Sequence, residues 1–282
     1  MPVALTIAGS DCCAGAGIQA DLKTFTAFGV YGLTAVTCAV AETPLEVAQV
    51  HEFEPDFVAE QVGLLLRRYP VAAIKTGMLG SAALVETVAK ALEGHRARGG
   101  SFRLVVDPVM VATAGGQLLA PDAVTTLVER LIPLASIVTP NQYEAGVLLG
   151  QEAGDTALAG DAALELAAKL GVPVVLKGGD AGGGERVTDW LAVDGECRSI
   201  SGPRIQAVTT HGTGCTFAAG IAAQLALGAA LDDAVRQAKN FVTAALAQTL
   251  SWPTMNGGDD QPIGALHPLP VEPEGLAVGD WE

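Results

Sequence analysis

The sequence predicts one α/β domain, a three-layer α/β/α sandwich around a mostly parallel sheet. Three observations lead there. Short strand-like runs alternate with helix-patterned segments from residue 1 to residue 250. The strand runs, such as Val3–Ala8 and Val174–Lys177, are continuously apolar where they cross the core, as in strands covered on both faces. No linker and no internal repeat interrupts them. Residues 1–250 therefore read as one domain, and 251–282 as an acidic Pro/Gly-rich tail.

The elements follow in order. Val3–Ala8 is a strand that stops at the loop Gly9-Ser10-Asp11. Gly17–Phe28 is a helix, with Ile18, Leu22 and Phe25 at helical spacing. Leu33–Val40 is the second strand, and Val47–Phe53 alternates roughly, as an edge strand does. Pro55–Tyr69 is an amphipathic helix whose Phe57, Val58, Val62, Leu65 and Leu66 share a face. Strand Ala72–Thr76 precedes helix Ser81–Arg98, with Ser81 as N-cap. Strand Leu104–Asp107, helix Asp122–Leu131, strand Ser136–Thr139 and helix Gln142–Leu149 continue the alternation. Helix Asp161–Leu170 and strand Val174–Lys177 come next. Asp189–Val193 and Cys197–Ile200 flank Asp194-Gly195-Glu196 as a hairpin near a sheet edge. Two Ala-rich helices, Thr213–Leu227 and Asp232–Leu250, close the domain. The tail carries five prolines, five glycines, six acids and no Lys or Arg, so it is expected on the surface and at least partly disordered.

Composition excludes several functions. Sixteen Lys and Arg against 31 Asp and Glu leave a net charge of −15. Such a chain repels phosphate backbones, so no nucleic-acid partner is expected. The charge-poor stretches Thr24–Ala41 and Ile205–Leu231 are broken by glycines and polar residues, so they read as core rather than membrane spans. Cysteines 12, 13, 38, 197 and 215 are odd in number and form no CxxC. Neither a disulfide framework nor a zinc site is expected, and Cys12-Cys13 reads as a polar-loop pair. With no basic, apolar leader at the N-terminus, a cytoplasmic location is expected.

The chemistry gathers where strands end, which in an open parallel sheet is where ligands bind. Glu42, Lys75-Thr76-Gly77-Met78, Asp107-Pro108-Val109, Asn141 with Glu144, and Lys177-Gly178-Gly179 all sit at such exits. The segment Thr210-His211-Gly212-Thr213-Gly214-Cys215-Thr216 opens an Ala-rich helix behind two glycines. Uncovered N–H groups there suit an anion, unless the glycines serve only close packing. Cys215 at that position is expected to have a lowered pKa, as base or nucleophile, or to be a small buried hydrophobe. Asp107 reads as a Mg²⁺ or phosphate ligand, or as a turn cap. Asn141 and Glu144, three residues apart, suit Mg²⁺ or a helix cap. Lys177 follows an apolar run and reads as an anion ligand or a snorkelling side chain. His51, His95 and His267 receive no role.

One signal competes. Gly15-x-Gly17-x-x-Ala20, with Glu42 after the next strand, imitates a dinucleotide fingerprint and an NAD-linked oxidoreductase. The loop from Ala8 to Gly15 is long for that motif. No Walker-type phosphate loop occurs.

Together, AGSDxxxGAGIQADLKTF (Ala8 to Phe25), KTGML (Lys75 to Leu79), DPVMV (Asp107 to Val111), TPNxxEA (Thr139 to Ala145), KGG (Lys177 to Gly179) and THGTGCT (Thr210 to Thr216) resemble the ribokinase-like superfamily. More closely they resemble its hydroxymethylpyrimidine/phosphomethylpyrimidine kinases, with bacterial-type pyridoxal kinases sharing nearly all of the motifs. The resemblance covers Ala4 to about Leu250. It implies a homodimer and ATP- and Mg²⁺-dependent phosphoryl transfer to a hydroxymethyl group on a heteroaromatic ring. It implies Asp21, Met78 and Val109 around the ring, and Gly212, Thr213, Gly214 and Cys215 at the anion hole. Asp107, Asn141 and Glu144 would serve Mg²⁺ and phosphate, and Lys177 the nucleotide. Glu42 stands where these kinases usually carry a ring-reading Gln. Ala112-Thr113-Ala114-Gly115, Asp180 and Thr209 are further departures from the family pattern.

Overall fold

Strand β1 (Val3–Asp11) sends Val3, Leu5 and Ile7 to one helical layer and Ala4 to the other. Strands β4 (Val71–Thr76), β5 (Arg103–Val106) and β7 (Val174–Leu176) repeat the division, with Ala73, Val105 and Val175 on the Ala4 side. Both faces are buried, which is why these runs show no polar alternation.

The first layer is α2 (Pro55–Arg68), α3 (Ala82–Ala97), α4 (Pro121–Thr126), α5 (Gln142–Leu149) and α6 (Ala159–Leu170). The second is α1 (Gly17–Ala27), α7 (Thr213–Ala226) and α8 (Leu231–Ala247). Small residues let α7 and α8 meet closely. A Cβ built on Gly220 would stand 3.0 Å from the Ala238 Cβ.

This computed structural model describes residues 1–110, 119–151, 159–179, 184–207, 209–253 and 262–269. Ala112–Gly115 and Asp180 fall outside them. Among the described residues the main sheet has nine strands in the order β3-β2-β1-β4-β5-β6-β7-β8-β9. Here β2 is Tyr31–Thr43, β3 Glu46–Glu52, β6 Ile137–Val138, β8 Arg186–Val193 and β9 Glu196–Pro203. β2, β1, β4, β5, β6 and β7 run parallel in turn. β3 lies antiparallel on one edge, and the β8–β9 hairpin on the other.

Differences from the sequence expectation have local causes. β1 runs on through Gly9-Ser10 to Asp11, because a register shift between Ala8 and Ser10 lets Ser10 and Asp11 pair with Ala39 and Val40. α4 passes into a π-helical turn at Leu127–Leu131 and a 3₁₀ turn at Ile132–Leu134. Pro133 there has no N–H to continue the α-helical pattern. Ser81 occupies the N-cap of α3, but its side chain makes no capping bond. The tail is not simply detached past residue 250. β10 (Leu250–Trp252) pairs antiparallel with β11 (Ile263–Ala265), and the His267 amide donates to the Ala245 carbonyl at 3.4 Å. No helix among the described residues is long and apolar enough to cross a membrane.

Candidate active site

The carboxyl ends of the parallel strands open into one cleft of about 610 Å³. Glu42, Met78, Asp107, Val109, Asn141, Glu144, Lys177, Gly212, Thr213, Gly214 and Cys215 all line it. Of the expected site residues, only Asp21 does not line it. Asp21 is fully buried on α1, where its carboxylate accepts from Thr6 Oγ1 at 2.6 Å and from Lys75 Nζ at 2.9 and 3.0 Å. The structure does not bring Asp21 to the cleft: it lies behind Lys75, which is itself fully buried in the cleft wall. Burial works to lower the Lys75 pKa, and the Asp21 carboxylate more than offsets it, so Lys75 stays charged.

α7 begins at Gly212, whose φ of +81° a side chain would resist. No side chain caps this end. A Cβ on Gly212 would fall 1.8 Å from the Gly15 carbonyl oxygen. The glycine therefore lets the β1–α1 loop lie against the start of α7. The uncapped N-terminus faces the cleft and carries partial positive charge.

Cys215 departs from expectation. It keeps some surface in the cleft, while packed atoms on its other sides remove water. Burial pushes its thiol up to about 11, against the pull of the Lys75 ammonium and a backbone bond from Gly17. The shift runs opposite to the lowered value of the base-or-nucleophile reading and accords with the alternative of a small buried side chain.

Asp107 lies directly after β5. Its Oδ1 accepts from Lys177 Nζ at 3.0 Å and Thr139 Oγ1 at 3.1 Å. Its Oδ2 lies 3.9 Å from where a Cβ on Gly214 would stand. Burial would lower the Lys177 pKa, but Asp107 and Glu144 hold it above the ordinary lysine value. Asn141 and Glu144 form a capping box on α5. Asn141 Oδ1 accepts from the Glu144 amide, and Glu144 Oε2 from the Asn141 amide, both at 2.8 Å. Glu144 Oε1 also accepts from the Met110 amide at 3.3 Å. The cap reading is thus realised, and these side chains reach the cleft already engaged. Val109 takes a positive φ of 22°, a conformation costly for a β-branched residue. Thr37 Oγ1 fixes the Met78 loop by donating to its carbonyl at 2.7 Å.

Several cleft residues were given no role from sequence. Asp11 is buried and its carboxylate accepts from the Cys13, Gly15 and Ala16 amides and pairs with His211. Burial alone would raise its pKa, but the bonds from His211, Cys13 and Ala16 hold it below the usual carboxylate range. A carboxylate ahead of a glycine-rich turn was the available signal. Lys75 interrupts an apolar strand, which demands a buried partner. Asp189 accepts from Lys239 Nζ at 2.6 Å and from the Gly178 amide at 2.9 Å, tying α8 to the β7 exit.

A parallel sheet with its cleft at the strand ends, an uncapped helix N-terminus and two lysines held beside carboxylates define a phosphotransferase of the α/β kinase class. A family model for phosphomethylpyrimidine kinase matches residues 11–258, and the chain belongs to that family. A hydroxymethylpyrimidine/phosphomethylpyrimidine kinase of Synechococcus elongatus is 40% identical over 95% of this chain and 99% of its own. The pyridoxal kinase of Staphylococcus aureus, solved with AMP-PCP and pyridoxal, superposes with a TM-score of 0.83 at 32% identity, over 100% of this chain and 98% of that one. A phosphomethylpyrimidine kinase structure from Clostridium difficile gives 0.73 at 33% identity, over 86% and 98%. The expected ribokinase-like sandwich is the fold found. The oxidoreductase alternative falls with it: Gly17 and Gly15 pack against the Gly9 carbonyl and the His211 ring, so both have structural reasons to be glycine.

Proposed function

We propose that this kinase transfers the γ-phosphoryl group of ATP to the hydroxymethyl group of 4-amino-5-hydroxymethyl-2-methylpyrimidine and then to its monophosphate, in thiamine biosynthesis. The observation that carries the reading is the cleft itself, whose lining combines an uncapped helix N-terminus with Lys177 and Asp107 close to Gly214. Names of relatives such as the Synechococcus enzyme support the pyrimidine. The AMP-PCP complex of the S. aureus enzyme supports ATP.

The geometry supports the following roles. Backbone N–H groups at Gly212–Cys215 hold the transferred phosphoryl group, where preorganised donors act most strongly. Lys177, fixed by Asp107, neutralises phosphate charge. Val187, Ile205, Val242 and Leu246 give the lining apolar side chains suited to the adenine ring. Asp107 would hold Mg²⁺, which suits these hard oxygen donors, and Asn141 and Glu144, both engaged in the cap, would reach it through water. Bound there, Mg²⁺ supplies charge neutralisation to the phosphates. Burial raises the Cys215 pKa above the ordinary thiol value, which favours a phosphate oxygen as the acceptor of the alcohol proton. Cys215→Ser is therefore expected to lower kcat by less than about ten-fold, because the full general-base contribution of roughly 10²–10⁴ is not drawn from the thiol. A loss within that larger range, with the fold intact by circular dichroism, would show that Cys215 is the base.

Glu42 lines the ring end, and burial, helped by Asp11, raises its pKa. As a carboxylate it accepts only, so it favours a ring presenting an amine. Glu42→Gln is expected to shift the pyrimidine-to-pyridoxal ratio of kcat/KM by roughly 5- to 150-fold, with the KM for ATP little changed. An unchanged ratio would end this role.

A second reading, pyridoxal kinase, draws on the close superposition with the S. aureus enzyme. ADP release measured with the pyrimidine, its monophosphate, pyridoxal and pyridoxine separates the two. Turnover on pyridoxine and pyridoxal alone would favour the second. The proposal includes a cytoplasmic homodimer. The outward-facing β3 edge, with Val50, Leu45 and Tyr31 exposed nearby, is the surface such a dimer would cover. It also keeps residues 1–250 as the catalytic domain, with 251–282 as an appended tail.

A further inference from the structure

Beside the cleft that Asp11 and His211 line, Cys13 Sγ, His211 Nε2 and Asp11 Oδ2 converge. Sulfur lies 3.3 Å from the Asp11 oxygen and 3.8 Å from the His211 nitrogen, and that nitrogen lies 3.1 Å from the same oxygen. The three come from two segments 198 residues apart in sequence. Among the described residues this is the one group of three His, Cys, Asp or Glu side chains found close enough to share an ion.

We propose that Asp11, Cys13 and His211 form a site for a zinc-class divalent cation, separate from the Asp107 region. The spacing fits. Bonds of about 2.3 Å to sulfur and about 2.0–2.1 Å to nitrogen and oxygen place tetrahedral ligand atoms about 3.3–3.6 Å apart. The donors are thiolate, imidazole and carboxylate, a set that suits zinc better than magnesium.

The surroundings give the outer support such a site needs. Asp11 Oδ2 is oriented by the Gly15 and Ala16 amides at 2.9 and 2.8 Å, and Oδ1 by the Cys13 amide at 2.7 Å. The thiol and the imidazole both crowd onto an oxygen already holding two amides. A dication in their midst uses the sulfur and nitrogen lone pairs instead. The exchange balances: the thiol gives up its proton to solvent, sulfur and Nε2 bond the ion, and the imidazole proton resides on Nδ1. One proton is released per ion bound. Glu42 lines the same cleft, so an ion here would stand beside the ring-binding surface.

Titration of the intact chain with Co²⁺ tests this, since cobalt bound to thiolate absorbs by charge transfer. Wild type and Cys12→Ser are expected to show the band at one equivalent, to lose it on adding Zn²⁺, and to release one proton per ion. Cys13→Ser should lack the band and bind Zn²⁺ at least ten-fold more weakly, with an unchanged circular dichroism spectrum. No band in wild type, a band persisting in Cys13→Ser, or one lost in Cys12→Ser would each overturn the proposal. None of these readouts requires the kinase reaction, so the outcome is independent of the assigned substrate.

Discussion

Gly212→Ala is expected to abolish measurable phosphoryl transfer and to destabilise the protein by about 2–5 kcal/mol. Two effects add. A non-glycine residue in a left-handed conformation costs about 1–2 kcal/mol, and Gly212 has a φ of +81°. Overpacking adds about 1–3 kcal/mol, because the new Cβ would lie 1.8 Å from the Gly15 carbonyl oxygen. Relief of that clash moves the first turn of α7, and with it the N–H groups proposed to hold the phosphoryl group. Gly150→Ala is the control. Its φ is +77°, yet nothing lies within 4 Å of a Cβ there. It should cost only about 1 kcal/mol and leave kcat unchanged. Equal losses in the two variants, read by urea denaturation, would show that backbone conformation alone matters at Gly212.

The second large effect belongs to the pair behind the cleft. Lys75 and Asp21 are both fully buried. Asp21→Asn leaves the Lys75 ammonium without its counter-charge and should destabilise by about 3–5 kcal/mol. Adding Lys75→Met to that variant should recover much of the loss, since an apolar side chain needs no partner. Activity should not recover, because the Lys75 charge acts on Cys215 from within the cleft wall. A single-variant loss below about 1 kcal/mol would mean that water or another carboxylate replaces Asp21.

These two sites also mark what the sequence discloses and what it conceals. α5 is found at Gln142–Leu149 as expected, because its signals, Asn141 and Glu144 three residues on, are local. Strand exits were legible for the same reason, and eleven expected residues meet in one cleft. The Asp21–Lys75 pair joins residues 54 apart, and Asp11–His211 residues 200 apart. No local pattern records either. A fully buried lysine does imply some partner, and Asp21 is the one acid on α1. Cys215 shows the opposite limit. The local rule, a cysteine at a helix N-terminus, points to a lowered pKa, but burial outweighs the Lys75 ammonium and the Gly17 backbone bond. Burial is a property of the fold. The π-helical turn at Leu127–Leu131 was also hidden, because the residues before Pro133 carry ordinary helical patterning.

The product itself tests the central claim most directly. The chain is incubated with ATP, Mg²⁺ and 4-amino-5-hydroxymethyl-2-methylpyrimidine, and the products are followed by mass spectrometry. The account predicts that the monophosphate appears first and is then converted to the diphosphate, with one ADP formed per phosphate added. A pyrimidine left unmodified while pyridoxal is phosphorylated under the same conditions would contradict it.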